Sequence, residues 1–308
     1  MLQIFFGLTP FIFITVLGFI FGRIKIFDLS HAKVLNLFLF YIAVPALIIK
    51  FVAQSEIGQI DLKQIITYFL MQGSLGLITF IITSNFFKRP VQESIIWSLM
   101  VALSNHVTLL LPITKIYFGT EVITQVTSII LMDGIILLSI ITFFLEFTTK
   151  KNIRVSVFVR NLFFNPMIMS IVIGVLLFSF NIDIFDTPID YILSVLAACV
   201  SPVGLFAIGI TLSFFSNKVI NKITVSITVL KLIISPIVLL LIGLVLFDSG
   251  VPEKMPGAFF VSVAPCGHTA IVLCSAYNVN PENIVKALFI STLASVVTIF
   301  FAIQYLTL

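Results

Sequence analysis

Runs of about twenty apolar residues, separated by short breaks that carry the charges, recur along the chain from end to end. Read against those breaks, helices are expected near residues 3–22, 33–53, 63–87, 93–117, 121–147, 163–180, 189–215, 222–247, 255–277 and 282–307. Runs of this length match the hydrocarbon thickness of a bilayer, so the expected fold class is an all-α integral membrane protein with ten transmembrane helices. An even number of spans puts both termini on one side.

Two of the runs carry polar interruptions near their centres. The fourth contains "SNHVTLLLP", with Asn105, His106 and Pro112; the ninth contains "APCGHTAI", with Pro265, Gly267, His268 and Thr269. Proline removes a backbone donor and clashes with the preceding turn, and glycine weakens a helix, so both spans are expected to be broken or unwound. Unwound backbone at membrane depth is tolerated only against protein or a watery cavity, which makes the two breaks candidates for a translocation site. Half-helix N-termini there favour a carboxylate, and Asn105 and Thr269 add neutral hydrogen bonds. His106 and His268 can donate to an anion, carry a proton, or hydrogen-bond a neighbouring carbonyl.

The interruptions fall at corresponding places of a faint repeat. Pro10 precedes Gly18 by eight residues and Pro166 precedes Gly174 by eight, an offset of 156. "IFD" ends at Asp28 and again at Asp186, Pro45 answers Pro202, and Tyr117 answers Tyr277, with offsets of 158, 157 and 160. Asn105 plus 160 is Pro265. The ordered matches favour two five-helix halves, residues 1–150 and 151–308. Five spans per half make the repeat inverted, an architecture of alternating access.

Charge then sets the orientation. The odd-numbered loops and their flanks carry Arg23, Lys25, Lys33, Lys88, Arg89, Lys150, Lys151, Arg154, Arg160, Lys218, Lys222 and Lys286, whereas the even-numbered ones carry only Lys50, Lys63, Lys115 and Lys254. Positive charge stays cytoplasmic, so both termini are expected outside. Two ionisable groups lie deep in expected spans, Asp133 in "ILMDGIILL" and Lys231 in "VLKLIISP". Such groups usually face the bundle interior with a partner. Asp133 is a candidate for proton coupling or for an ion pair with Lys231; Lys231 can also snorkel to the interface.

Composition narrows the function. The chain of 308 residues is 60% hydrophobic and only 10% charged, with a mean hydropathy of +1.23, against about 25% charge in soluble domains. No soluble domain fits beside ten spans; the longest polar connection, residues 148–161, is too short for a nucleotide-binding fold, and no GxxxxGK[ST] loop occurs. HExxH and GxSxG are likewise absent, which speaks against a membrane-embedded enzyme. The net charge of +4 is read as orientation rather than nucleic-acid binding. Cys199, Cys266 and Cys274 lie in apolar segments without metal-ligand spacing and are read as small hydrophobes. No metal or cofactor is expected. Arg23 and Lys25 follow the first apolar run instead of preceding it, so that run is expected to be a retained helix and not a cleaved signal.

Six segments in order, "LNLFLFYIAVPALIIKF", the Asn-containing fourth span ending "YFG", "NPMIMSIVIGVLL", "SPVGLFAIGITL", "LKLIISP" and "ALFISTLASVVTIF", resemble the auxin efflux carrier family, which includes bacterial permeases and the plant PIN carriers. The resemblance implies a five-plus-five inverted fold in which the fourth and ninth helices cross. Helices one, two, six and seven would form a scaffold and the rest a moving transport domain. It places Asn105 and Pro112 in the fourth-helix part of the crossing and Pro265 in the ninth-helix part. His106 after Asn105, and "CGH" after Pro265, depart from the family's usual pattern. The implied substrates are organic anions, and the short central loop favours a bacterial inner-membrane permease. The expected partners are thus a small organic anion and the lipid bilayer, without nucleic acid and with no cofactor beyond a proton or the membrane potential. Gly18, Gly22 and Gly174 permit close helix packing, either in a homodimer or within one chain. A transporter-like sensor or a passive channel is the alternative reading.

Overall fold

The computed structural model describes residues 2–54, 62–149, 166–180, 182–184, 186–214, 220–247 and 250–307. Most of the central connection, with Lys150, Lys151, Arg154 and Arg160, lies outside the described residues, as does Lys218. Among the described residues there is no strand. The helices are α1 (Leu2–Arg23), α2 (Leu29–Phe38), α3 (Val44–Gln54), α4 (Leu62–Ile81), α5 (Val91–Ala102), α6 (Leu111–Tyr117), α7 (Thr120–Met132), α8 (Leu138–Thr149) and α9 (Pro166–Ser179). They continue with α10 (Pro188–Ala198), α11 (Val200–Ser213), α12 (Lys222–Val229), α13 (Ser235–Leu246), α14 (Val251–Lys254), α15 (Pro256–Ser262), α16 (Thr269–Ala276) and α17 (Glu282–Thr307).

Several of these helices run on through wider, π-helical turns at Leu39–Ala43, Ile82–Phe86, His106–Leu110, Asp133–Leu137 and Leu230–Ile234. Three of the turns end just before a proline: Pro45, Pro112 and Pro236. The proline ring would strike the carbonyl four residues back and offers no N–H to it, and the wider turn relieves that clash without ending the helix. Pro202 has a different effect. Helices α10 and α11 meet at a kink at Cys199, where the helical bond to the proline nitrogen is missing.

Continuous helical stretches long and apolar enough to cross a membrane cover 29–50, 62–86, 188–213, 222–246 and 282–307, with shorter apolar helices at 12–23, 91–102, 120–132 and 169–179. Together with the composition they make this a multi-pass membrane protein. The fourth and ninth expected spans are not single helices. The fourth is cut between α5 and the turn at His106, and the ninth between α15 and α16. Helix α5, with 12 residues, covers about 18 Å, only part of the hydrocarbon thickness.

The chain folds into two compact units: one of residues 1–8, 60–129 and 215–308, the other of residues 9–59 and 130–214. The expected fifth span is shared between them, dividing after Ile129.

The second unit is built on glycine seams. A Cβ at Gly18 of α1 would come within 2.2 Å of the Phe206 carbonyl oxygen in α11, and one at Gly209 of α11 within 2.1 Å of the Thr15 carbonyl oxygen. Gly22 likewise faces Ser213, and Gly174 of α9 faces Val52 of α3, which belongs to a small core with Ile48, Leu131 and Ile171. The first span therefore packs on the seventh and the sixth on the second. All three glycines expected to favour close packing are buried, so they serve contacts within one chain, and the homodimer loses them as support. Lys50 of α3 donates to Asp190 of α10 at 2.8 Å and ties those two helices together. The two aspartates of the repeated "IFD" differ in role. Asp28 caps α2 by accepting from the Ser30 and His31 N–H groups at 2.8 and 3.1 Å, whereas Asp186 takes a left-handed backbone (φ 56°) and leaves the cap of α10 to Thr187.

Gly18→Ala and Gly209→Ala each drive a methyl group into a backbone carbonyl that cannot yield, at a cost of about 1–3 kcal/mol or more. Both are expected to lower the thermal unfolding temperature in detergent, read by a thiol-reactive dye on the buried Cys266 and Cys274. Gly73→Ala, whose Cβ meets nothing within 4 Å, is expected to leave it unchanged or raise it slightly.

Candidate functional site

Helix α5 stops in the interior of the first unit, where the chain straightens: Leu103 is extended (φ −80°, ψ 127°), and Asn105 opens the next helical turn (φ −79°, ψ 54°). In the ninth span Pro265 disfavours helix at Ala264 and interrupts the segment 263–268. The two unwound segments run antiparallel and pair with one another, with a bridge between Ser104 and Cys266. Asn105 N–H donates to the Pro265 carbonyl at 2.9 Å, and Gly267 N–H donates to the Met100 carbonyl at 3.1 Å. Gly267 is required by proximity and not by conformation: its φ is ordinary, but a Cβ there would lie 2.7 Å from the Leu103 oxygen.

A helix ending in an apolar interior leaves its last four carbonyls to be satisfied elsewhere. For α5 all four partners are identifiable. Leu99 accepts from Leu103 N–H at 2.7 Å, Met100 from Gly267 N–H, Val101 from Lys231 Nζ at 2.9 Å, and Ala102 from Gln72 Nε2 at 3.2 Å. The partners come from the fourth, ninth, eighth and third spans. Lys231 also donates to Ser104 Oγ at 2.7 Å, and that hydroxyl donates in turn to the Val261 carbonyl of α15 at 2.9 Å. Thr298 of α17 donates to the Val263 carbonyl at 2.8 Å, and Ser291 Oγ accepts from Cys266 N–H at 3.3 Å.

The α5 carbonyls are thus saturated, and two buried side-chain nitrogens at the crossing, Asn105 Nδ2 and His268 Nε2, have no hydrogen-bond partner; the amide nitrogen is a donor, and the ring nitrogen is one when it carries the proton. Neither crossing segment, 99–106 or 262–271, contains an Asp or Glu. Lys231 has no exposed surface, and the helical turns that begin at His106 and Thr269 direct their positive ends inward from the break. A buried unpaired donor is costly unless an acceptor fills it.

The structure brings together Asn105, His106, Pro265, Gly267, His268, Thr269 and Lys231 in one unit, and places Asp133, Pro45, Pro202, Gly18 and Gly174 in the other. Asp133, 1% exposed, opens the π-helical turn of the fifth span. Two expectations change. Pro112 does not break the fourth span: it sits in the first turn of α6, seven residues past Asn105, where its missing N–H costs nothing and the turn at His106–Leu110 absorbs its ring. Nor does Lys231 snorkel. Its ammonium turns inward because the carbonyl of Val101 and the hydroxyl of Ser104 offer better partners than the interface. Cys266 and Cys274 are buried thiols, and Cys199 is half-buried at the kink.

Ser104, Gln72, Ser291 and Thr298 were not anticipated. Ser104 directly precedes Asn105 in the interruption, and Gln72 is a polar residue in the middle of "FLMQGSLG"; both signals were present in the sequence.

Comparison with known proteins agrees with a membrane-embedded chain. The profile of a family described as membrane transport protein matches residues 3–303. A protein named uncharacterized transporter YfdV from Escherichia coli K12 is 25% identical over 307 residues, covering 97% of this chain and 96% of the relative. The proteins of the same name from Escherichia coli O157:H7 and Shigella flexneri align equally well. The resemblance to the auxin efflux carriers drawn from the motifs is borne out by the family match.

Gly267→Ala is expected to destabilise the fold by forcing the paired segments apart. Gln72→Leu, which leaves the Ala102 carbonyl buried and unpaired, is expected to cost about 1–3 kcal/mol. Asn105→Ala keeps the backbone bond to Pro265 and is expected to unfold at nearly the wild-type temperature. Thermal unfolding of the three purified variants in detergent separates these outcomes.

Proposed function

The chain belongs to the membrane transport protein family and is a membrane transporter, and from this we propose that it is a secondary carrier for a small organic anion, most simply a carboxylate. The observation that carries this reading is the pair of buried, unpartnered nitrogens, Asn105 Nδ2 and His268 Nε2, on two crossing segments that contain no acidic residue; we read the His268 proton as lying on Nε2. A carboxylate at the crossing accepts from both donors. It also meets the positive ends of the helical turns that begin at His106 and Thr269. His106, Gly267 and Thr269 shape the same site, and Pro112 holds the start of α6.

We read the protein as ten spans in a five-plus-five inverted repeat, with both termini outside and an inner-membrane location in a bacterium. Two features support the repeat. Asn105 and Pro265, related by the offset of 160, are joined by a hydrogen bond, and Gly18 and Gly174 make reciprocal seams, first span on seventh and sixth on second. Alternating access then moves the unit that holds the crossing as one body, and the compactness of that unit is what such a movement requires. Asp133 is the candidate for proton coupling. Asp133→Asn is expected to leave the protein folded and to abolish the pH dependence of uptake in proteoliposomes; unchanged pH dependence removes Asp133 from the mechanism.

Proteoliposomes loaded with malate, malonate, pyruvate or indole acetate test the anion reading by counterflow of label. The wild type is expected to show saturable exchange with at least one of them. Each hydrogen bond to a charged ligand is worth about 1.5–3 kcal/mol, so Asn105→Ala and His268→Ala are expected to weaken substrate affinity by about tenfold to a hundredfold. Folded wild-type protein that exchanges no carboxylate overturns the reading in favour of a sensor. Label flux without counterflow accumulation would instead identify a channel.

A further inference from the structure

Of the four terminal carbonyls of α5, three accept from neutral donors: two backbone N–H groups and an amide side chain. Only Val101 accepts from a cation. A neutral donor would have satisfied that oxygen equally well, so the charge on Lys231 calls for its own explanation. The ammonium stands where two helix C-termini converge. Val101 belongs to the end of α5, and Ser104, which accepts from Lys231, hands its own proton to Val261 near the end of α15. Each of those ends carries about half a negative charge. A backbone carbonyl and a hydroxyl at the C-terminal end of a broken helix form the type of oxygen cage in which transporters of this architecture hold a monovalent coupling cation.

We propose that Lys231 is a tethered cation that permanently occupies this cage, so that the carrier needs no alkali cation at the crossing and becomes dependent on one when the lysine is removed. The placement of the lysine favours this. The residue is fully buried in the π-helical turn Leu230–Ile234, whose widened geometry lets a long side chain leave the eighth span and reach across to the fourth. The ammonium also offsets the negative charge of two helix ends that lie together. The cage itself stands on this geometry alone; its role in transport rests on the carrier reading above.

The test is Lys231→Ala, which removes the atoms that n-propylammonium would replace. Purified in detergent, the variant is expected to show a saturable rise in unfolding temperature with n-propylammonium and with sodium, but none with tetramethylammonium, which has no N–H and is too large to enter. The wild type is expected to respond to none of them. In counterflow, wild-type exchange is expected to be the same in sodium and in choline, whereas Lys231→Ala is expected to lose exchange in choline and recover it with propylammonium or sodium. If the variant is unstable, expression and purification in propylammonium are expected to yield folded protein, and failure in every cation counts against the proposal. Lys231→Met, which keeps the stem, is expected to fold, to ignore added cations and to be inactive. A wild type that requires sodium, a Lys231→Ala protein that no cation stabilises, or a Lys231→Met protein that exchanges normally each overturns the tethered cation. Failure of the carboxylate reading shows separately, as absent exchange in the wild type beside an intact cation response in the variant.

Discussion

The structure depends on one requirement: a helix that ends inside an apolar unit must find partners for four carbonyl oxygens without water. Helix α5 ends in this way at Ala102, and its partners come from four different spans. Because Gly267 supplies the donor for Met100 while Pro265 supplies the acceptor for Asn105, the break in the ninth span is the condition for the break in the fourth. Neither could persist alone in hydrocarbon, where an unpaired peptide group costs several kcal/mol. The polar residues scattered singly through the third, eighth and tenth spans, Gln72, Lys231, Ser291 and Thr298, are then parts of one network.

The same requirement explains how prolines are accommodated elsewhere. Pro45, Pro112 and Pro236 each follow a π-helical turn, so the helix passes the missing bond without opening. Only where a second segment is present to take up the freed groups does the backbone unwind. In the other unit cohesion comes from glycine seams close enough that a single methyl group would overlap a carbonyl.

Satisfying the acceptors has a consequence for chemistry. With the α5 carbonyls bonded and no carboxylate in the crossing segments, two nitrogens of those segments, Asn105 Nδ2 and His268 Nε2, are left without partners. The proposed anion site draws on those nitrogens. Membership of the membrane transport protein family gives the break its setting, since unwound backbone inside the protein is of use to one that carries something across.

Much of this was legible in the sequence. The apolar runs determine that the chain crosses a membrane several times, and the polar residues inside two of those runs mark the segments that interrupt and pair, with Asn105 and Pro265 already matched by the repeat. Hydropathy, proline and glycine are local signals, and burial in lipid makes them strong ones, because every apolar run must become a helix there. What the sequence left open was where each polar group would find its partner. The break falls at Leu103–Asn105 and not at Pro112, Lys231 turns to Val101 and Ser104 instead of the interface, and Gly18 and Gly174 meet Phe206 and Val52 instead of a second copy. Those outcomes depend on which distant segments meet, and a carbonyl takes whichever donor the packing brings within reach. Only the tertiary structure decides that.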